Sequence, residues 1–477
     1  MKTLFLNPPS FEDFDGGAGS RYQATREVRS FWYPTWLAYP AGMLPGSRIL
    51  DAPASGLDVQ KTLDIARDYD LFVLYTSTPS LKNDSAFAAK IKEIVPRSLV
   101  CFVGPHPSVL PEETLQAAPA VDFAVRGEFD YVIPEIAGGA ALAGVKGISW
   151  RDGDKIVHNQ DRELIHDLDK LPFATEVYKR DLDFKEYEIP WIQYPYLSFY
   201  TGRGCSSKCV YCLWPQTYSG NAYRTRSPRN VIEEVKYALG AFPGVKEIFF
   251  DDDNFCEDQK RAIEIAKLMK PLGISWGCNS KVTAKYETLK ALKEGGMRVI
   301  MVGYETGDQG ILNNVRKGTT IEQARTFTKN CKDLGITIHG AFVLGLPGET
   351  RDTVESSIKF ACEMDPETIQ VSLASPYPGT KFFELCVKEG YINPESLVSE
   401  KGYQSCVINY PAISSEEIFM AVEKFYKKFY YRPKYVIKVL RKAFSDKDEL
   451  KRIYREAKEF YGFIAKRREA LKEGAGG

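Results

Sequence analysis

The chain has 477 residues, which is too long for a single hydrophobic core. At roughly 150 residues per domain, this length predicts two to four domains. Basic and acidic residues balance at 63 each, which argues against a broadly basic nucleic-acid-binding surface. No apolar run reaches the ~20 residues of a membrane span, and the N-terminus lacks the pattern of a signal peptide. We therefore expect a cytoplasmic protein with no nucleic-acid partner.

Residues 1–150 alternate short apolar runs with amphipathic stretches, which predicts a parallel sheet covered by helices on both faces. This Rossmann-like, flavodoxin-like domain would hold its ligand just past the carboxyl ends of the strands. Polar, glycine and proline residues gather there in "DAPASG", "TSTPS", "GPHPS" and "RGE". We predict a binding domain, followed by a connector over residues 151–195 with a hairpin turn at Asp152 and Gly153.

Residues 196–400 carry six apolar runs, each followed by a stretch of helical period. A closed eight-fold barrel needs about 250 residues, so six units predict a partial (β/α)6 barrel of TIM type, active at the carboxyl ends of its strands. Residues 401–477 predict a helical domain whose segment 424–442 holds eight basic residues, no acid and several aromatics. This segment fits either a helix packed on the barrel or a peripheral contact with the inner face of the cell membrane.

The stretch "TGRGCSSKCVYC" places Cys205, Cys209 and Cys212 at the spacing C-x3-C-x2-C. A structural zinc site takes four protein ligands, and no fourth cysteine or histidine stands nearby in the sequence. Three thiolates on a [4Fe-4S] cluster leave one iron open to bind a substrate. The motif therefore predicts a catalytic iron-sulfur centre, and the alternative is a zinc or iron-sulfur scaffold without enzymatic activity.

This motif, with Tyr211 before its last cysteine and a barrel strand before the loop, resembles that of the radical S-adenosylmethionine (SAM) superfamily. The resemblance implies that Cys205, Cys209 and Cys212 are the catalytic, metal-binding residues and each hold one iron. It also implies that the open iron chelates SAM. An electron from an external reductant of flavodoxin or ferredoxin type would then cleave SAM to a 5'-deoxyadenosyl radical, which abstracts hydrogen from the substrate.

Later strand ends resemble the positions at which this superfamily contacts SAM. The resemblance implies that Glu305, in "VGYETG", bonds the ribose hydroxyls and that Asp252 and Asp253 accept from the ammonium group. Solvated turn acids or a helix cap are the alternative for the two aspartates. The remaining SAM-binding candidates are Tyr211, Ser280, Lys281, Phe342 and Leu344.

The first domain, with "VGPHPSVLPEE", resembles the cobalamin-binding domain that precedes the barrel in one large class of radical SAM enzymes. That class often carries Asp-x-His-x-x-Gly, whose histidine can ligate cobalt. Here "DAPASG" has proline in place of the histidine, which implies cobalamin without a histidine ligand from this motif, or a domain that has lost the cofactor. The candidate pocket residues are Asp51, Pro53, Gly56, Ser77, Thr78, Gly104, His106 and Glu128.

More than thirty residues, rich in Arg, Tyr, Trp and Gly, separate the first two predicted strands, and a loop of this length is usually functional or disordered. This insertion, the chain layout and the basic aromatic tail resemble the radical SAM enzymes of hopanoid biosynthesis. The resemblance implies a lipid-linked aminosugar substrate, bacteriohopanetetrol glucosamine, whose sugar is ring-contracted to the cyclitol ether. The alternative is a cobalamin-dependent radical SAM methyltransferase acting on a hopanoid or other hydrophobic substrate.

Overall fold

A computed structural model describes residues 1–11, 30–392 and 406–445, with scattered positions between 450 and 465. The insertion predicted after the first strand therefore lies partly outside the described residues. No helix within the described ranges is long and apolar enough to cross a membrane.

The first sheet has seven strands: β1 (Thr3–Asn7), β2 (Arg48–Asp51), β3 (Leu71–Tyr75), β4 (Leu99–Val103), β5 (Phe123–Val125), β6 (Ile148–Asp152) and β7 (Lys155–His158). They lie in the order β2-β1-β3-β4-β5-β6-β7, parallel as far as β5 and antiparallel beyond it. The predicted flavodoxin-like sheet is confirmed. The predicted hairpin also forms, and it extends this sheet rather than standing apart, so the predicted boundary at residue 150 falls inside β6.

The helices of the first domain are α1 (Thr35–Gly42), α2 (Val59–Ala66), α3 (Leu81–Ile94), α4 (Pro105–Val109), α5 (Pro111–Ala117) and α6 (Val132–Ala137). Leu63 of α2 and Phe87 of α3 pack one face of the sheet into a separate core. Leu37 of α1 and Ile136 of α6 pack the other face into a core that continues into the barrel. The first domain is therefore joined to the barrel by apolar packing.

The second sheet has six parallel strands: β8 (Tyr196–Phe199), β11 (Glu247–Phe250), β12 (Ser275–Ser280), β13 (Met297–Glu305), β14 (Thr337–Leu344) and β15 (Thr368–Leu373). The predicted six-strand partial barrel is confirmed, since the strands follow one another in chain order from β8 to β15. A short antiparallel ribbon of β9 (Gly202–Arg203) and β10 (Arg224–Thr225) lies beyond the end of β8.

The connector and barrel contribute α7 (Ala174–Asp181), α8 (Leu213–Thr217), α9 (Pro228–Ala241), α10 (Gln259–Met269), α11 (Tyr286–Glu294), α12 (Gln309–Asn314), α13 (Ile321–Asp333), α14 (Arg351–Met364) and α15 (Lys381–Lys388). Helix α9 begins where the sequence predicts. Ser227 accepts a hydrogen bond from the Asn230 N–H as the N-cap, and Pro228 takes the first helical position.

Two helices follow, α16 (Ser415–Tyr430) and α17 (Pro433–Ser445). Helix α16 covers the edge strand β15, whose Ile369 and Val371 N–H groups donate to the hydroxyls of Tyr430 and Tyr426 at 3.0 Å each. The packing predicted for the aromatic basic segment is therefore confirmed for α16. In α17, Val436 and Ile437 are exposed. The predicted membrane contact of this region stays a prediction.

Candidate active site

The three cysteines of the motif lie on one loop, residues 204–212 between β9 and α8, called here the cysteine loop, and none of them is in a disulfide. Cys205 and Cys209 are buried and Cys212 is half-buried. The side-chain amide of Gln216, in α8, donates to the carbonyl oxygens of Cys209, Val210 and Cys212 at 3.2, 3.0 and 2.8 Å. The short helix that follows the motif therefore holds the loop in shape.

Glu305 ends β13 beside this loop with a positive φ of 67°. It forms a close buried ion pair with Lys317. Burial raises the pKa of the Tyr211 phenol well above its usual value, and the adjacent Glu305 carboxylate raises it further. The structure thus brings together Glu305, Tyr211 and the cysteine loop, as the sequence predicts.

Lys281 also reaches the cysteine loop, as its Nζ donates to Ser207 Oγ at 2.7 Å. Ser280 is buried and donates from Oγ to the Lys281 carbonyl at 2.9 Å. Phe342 and Leu344 are fully buried, and the Phe342 ring packs 5.1 Å from Phe425 of α16. These two side chains therefore belong to the outer core, and contact with adenine at this strand is left to the backbone.

The structure gives Asp252 a different role from the predicted one. It is fully buried, with Oδ1 accepting from the Thr201 N–H at 2.5 Å and Oδ2 from the hydroxyls of Thr201 and Tyr223 at 2.6 and 2.8 Å. Both oxygens are thus occupied by protein donors that tie the end of β11 to the end of β8. Asp253 is half-buried and remains the aspartate candidate for the SAM ammonium group.

The order β2-β1-β3 places the topological switch point of the first sheet between β1 and β3, where open α/β sheets bind ligands. Thr78 follows β3, and its hydroxyl lies 3.0 Å from Nδ1 of His106 in α4. Burial lowers the pKa of His106 to about 4, and its Nε2 has no hydrogen-bond partner among the described residues. Ser77, Thr78, Gly104 and His106 therefore meet at the predicted crevice.

The other predicted cobalamin residues have structural partners. Asp51, at the end of edge strand β2, accepts from Asn7 Nδ2 at 2.7 Å and from the Tyr187 hydroxyl at 2.9 Å. Pro53 and Gly56 follow on the same edge, away from the switch point between β1 and β3.

Glu128 joins the two domains instead of lining an open pocket. Its carboxylate accepts from Arg203 at 3.1 Å and from both terminal nitrogens of Arg224 at 2.9 Å. Arg203 also forms a bidentate pair with Asp130 at 2.8 and 3.0 Å, and its guanidinium lies 4.5 Å from the Trp36 ring centroid. Because Arg203 stands two residues before Cys205, this buried network attaches the cysteine loop to the first domain.

Sequence reasoning missed Lys317, Gln216, Arg203 and Arg224. Arg203 lies inside the quoted motif, but its partner Glu128 is 75 residues away, and no spacing rule connects them. Gln216 carries a faint signal, since it stands four residues after the last cysteine, one helical turn away.

The residues present fit the groups that the motif implies. Three cysteines on one loop, none of them in a disulfide, with Lys281 and Lys317 near Cys209, suit an anionic cluster held by one edge. Just after β4, Gly104 has a φ of 110°, and a β carbon there would lie 2.9 Å from the Thr76 carbonyl oxygen. Two residues further on, the buried His106 Nε2 has no hydrogen-bond partner among the described residues. The cobalamin assignment therefore rests on the loops after β3 and β4.

Comparisons with known proteins agree with both domains. A model of the radical SAM superfamily matches residues 199–361, and a model of the B12 binding domain matches residues 24–137. An uncharacterized methyltransferase of Pyrococcus horikoshii is 32% identical over 452 residues, which span 92% of this chain and 94% of that protein. The cytidylyl-2-hydroxyethylphosphonate methyltransferase of Streptomyces wedmorensis is 27% identical over 380 residues, 70% of each chain.

Solved structures support the fold. The radical SAM methyltransferase TsrM of Kitasatospora setae, with cobalamin and a [4Fe-4S] cluster bound, superposes with a TM-score of 0.65 at 16% identity, covering 90% of this chain and 89% of that one. The two matched domains assign the cofactors of this chain, a [4Fe-4S] cluster and SAM to the radical SAM domain and cobalamin to the B12 binding domain. The chain belongs to the radical SAM superfamily and carries its iron-sulfur barrel behind an N-terminal B12-binding domain.

Proposed function

We propose that this protein is a cobalamin-dependent radical SAM methyltransferase acting on a neutral, hydrophobic substrate. When bound, cobalamin supplies a transferable methyl group, and the cluster with SAM supplies a hydrogen-abstracting radical. The observation that carries the proposal is the buried pair of Arg203 and Glu128, which joins the B12-binding domain to the cysteine loop. The methyltransferase relatives support it as well.

Helix α4, which carries His106, also approaches the cysteine side of the barrel. A β carbon on Gly379, in the loop after β15, would lie 2.6 Å from Val109 of α4 and 3.0 Å from Thr217 of α8. The B12-binding domain, the helix after the cysteine loop and the last strand end therefore meet at one place. This arrangement suits a substrate held between the two cofactors.

The concave face of the second sheet indicates the substrate's chemistry. The Phe342 ring packs on Phe425 of α16, and Val371 lies beside Phe342 in the parallel register, so both side chains are on the outer face of the sheet. Their strand neighbours point inward, because side chains alternate along a strand. Half-buried inward residues of β13, β14 and β15 include Met301, Ala341, Val343, Gln370 and Ser372, all of them neutral. Such a lining favours an uncharged, largely apolar substrate.

Aromatic rings close one end of this cavity. Trp191 stacks on His339 with ring centroids 4.5 Å apart and meets Phe249 edge-on at 5.1 Å. Trp32 packs on Phe249 at 5.7 Å. Because burial lowers the pKa of His339 to about 3, this end carries no histidine charge at neutral pH.

Anaerobic reconstitution with iron, sulfide, cobalamin, SAM and reductant, followed by mass spectrometry, tests the proposal. Uncharged hydrophobic candidates, hopanoids among them, should gain one methyl group and yield S-adenosylhomocysteine together with 5'-deoxyadenosine. Iron, sulfide and cobalt are quantified in the same sample, with Cys209→Ala as the cluster-deficient control.

The predicted ring contraction of bacteriohopanetetrol glucosamine makes a different product pattern. It would yield 5'-deoxyadenosine and an isomer of unchanged mass, with no S-adenosylhomocysteine. That pattern would contradict methyl transfer and support the hopanoid prediction. Cofactor-loaded protein that methylates none of the candidates and forms only 5'-deoxyadenosine would also count against methyl transfer.

A further inference from the structure

We propose that Lys317 is a positioning residue of the SAM site, which holds the Glu305 carboxylate in place and sets a buried positive charge beside the cysteine loop. The proposal rests on the SAM and cluster assignments and does not depend on methyl transfer. It concerns a residue that lies outside the cysteine motif and outside the strand ends.

The ion pair between Glu305 and Lys317 occupies a space shaped for it. Both side chains are less than one-tenth exposed. A β carbon on Gly303 would overlap Glu305 Oε1 and would lie 2.9 Å from Lys317 Nζ. The pair therefore crosses directly over the backbone of Gly303, where only glycine leaves room.

The backbone at Glu305 is bent to reach this position. The register between β13 and β14 shifts between Gly303 and Glu305, and Glu305 has a left-handed φ of 67°. A non-glycine residue adopts this conformation only when its surroundings hold it there. The ion pair with the buried Lys317 ammonium keeps the Glu305 carboxylate in this position.

Lys317 also faces the cysteine loop. Its ammonium lies within electrostatic reach of Glu305, Cys209 and Cys212. The Val210 N–H donates to the Val315 carbonyl at 3.0 Å, which ties the loop to the segment that carries Lys317. The groups near the ammonium are thus one carboxylate and two predicted cluster ligands, and Lys281 is a second cation near Cys209.

Two consequences follow from this placement. A positive charge beside the cluster ligands favours the more negative, reduced cluster, so Lys317 should raise the midpoint potential. A fixed Glu305 carboxylate should strengthen binding of the nucleoside part of SAM, because its geometry is set before the ligand arrives. Loss of the ammonium should therefore weaken nucleoside binding and lower the potential together.

The test uses the full chain, reconstituted anaerobically, as wild type, Lys317→Met, Lys317→Arg and Glu305→Gln. Affinity for S-adenosylhomocysteine is measured by equilibrium dialysis, and the cluster midpoint potential by a redox titration followed by electron paramagnetic resonance. We expect Lys317→Met to bind roughly tenfold more weakly, the loss of one charge-assisted contact, and to shift the potential to more negative values. Lys317→Arg should retain both properties.

Arg298→Met is the matched control, because Arg298, at the start of β13 and so at the opposite end from Glu305, forms a partly buried pair with Glu247 at 2.6 and 2.8 Å. It should leave affinity and potential unchanged. Wild-type values in folded Lys317→Met, or equal shifts in Arg298→Met, would overturn the proposal.

If Lys317→Met does not fold, Glu305→Gln provides the test. This variant should raise the midpoint potential and weaken binding of S-adenosylhomocysteine, and wild-type values for both would refute the role of the pair. Methyl transfer could fail while these results hold, so the two proposals fail separately.

Discussion

Gly204, in the cysteine motif, has a φ of 87° and no room for a β carbon, because that atom would overlap the Ala222 carbonyl oxygen and lie 2.9 Å from the Gly220 carbonyl. Gly202 is equally confined by the ring of Tyr223 at 2.6 Å. The two glycines therefore let the segment before β10 pack tightly against the cysteine loop. Backbone contact, rather than turn geometry alone, explains both positions.

Gly204→Ala should lower the iron and sulfide content of reconstituted protein and destabilise the fold. Gly127→Ala is a suitable control, because Gly127 has a φ of 75° but nothing within 4 Å of a β carbon. Both changes cost roughly 1–2 kcal/mol of backbone strain. The overlap should cost Gly204→Ala about 1–3 kcal/mol more in denaturant unfolding. Equal losses for the two variants would contradict the packing explanation.

His106 should make folding stability depend on pH. Burial lowers its pKa to about 4 in the folded chain, whereas an unfolded histidine titrates near pH 6.5. Between these values the unfolded state binds more protons, so the stability that His106 confers is present above about pH 6.5 and is lost as pH falls toward 4. His106→Gln should remove this part of the pH dependence, as measured by urea unfolding from pH 4.5 to 7.5. Parallel pH profiles for wild type and variant would contradict it.

The short helix α8 makes several of the contacts that hold the cysteine loop. Helix α8 has five residues, yet its Gln216 donates to three carbonyls of the cysteine loop and accepts from the Lys381 N–H of α15 at 3.0 Å. Trp214, in the same helix, stacks on Trp36 of α1 at 5.9 Å. One turn of helix therefore connects the loop, the last barrel helix and the first domain.

Gln216→Ala should remove one hydrogen bond from each of three loop carbonyls and so loosen the loop that carries the cysteines. The Cys209 and Val210 carbonyls keep backbone donors, the Cys212 N–H at 3.3 Å and the Phe382 N–H at 3.0 Å. Each lost hydrogen bond costs about 0.5–1.5 kcal/mol, and the loss should appear as faster release of iron to a chelator. Gln116→Ala, at an exposed glutamine of α5 that donates only to Glu112, is the control. Equal rates of iron release from the two variants would show that Gln216 does not hold the loop.

At the scale of the whole molecule, buried charged side chains join the two domains. Arg203, Glu128 and Asp130 have side chains at most 2% exposed, and Arg224 is 7% exposed. Such charges are costly to bury, so each must keep its partner. The network therefore favours one arrangement of the B12-binding domain over the cysteine loop.

Glu128→Gln should destabilise the protein by about 3–5 kcal/mol, since it leaves Arg203 and Arg224 under-compensated. We also expect weaker cobalamin retention on gel filtration, because the domain that binds it would lose its fixed position. Glu363→Gln removes the exposed partner of Arg325 and should cost at most about 1 kcal/mol. Thermal unfolding and bound cobalt measure both effects. Similar losses in the two variants would rule out a special role for the buried network.

Local patterns in the sequence were enough to predict the two α/β domains, because strand and helix periods are local and their alternation requires parallel sheets. They also led to the prediction of Cys205, Cys209 and Cys212 as cluster ligands, since the spacing of these residues on one loop is visible in the chain. The position of Glu305 at a strand end was predictable for the same reason, because its motif closes an apolar run that forms β13.

Only the folded structure shows which polar residues at the strand ends are bonded to other protein groups and which are left for the cofactors. Asp252 and Glu128 stand at strand ends like true ligands, but Thr201 and Arg203 occupy their oxygens. Lys317 lies beside Glu305 because α12 brings the chain back to the end of β13. Such pairings join residues distant in sequence, and local periodicity carries no record of them, because burial and charge compensation are properties of the assembled core.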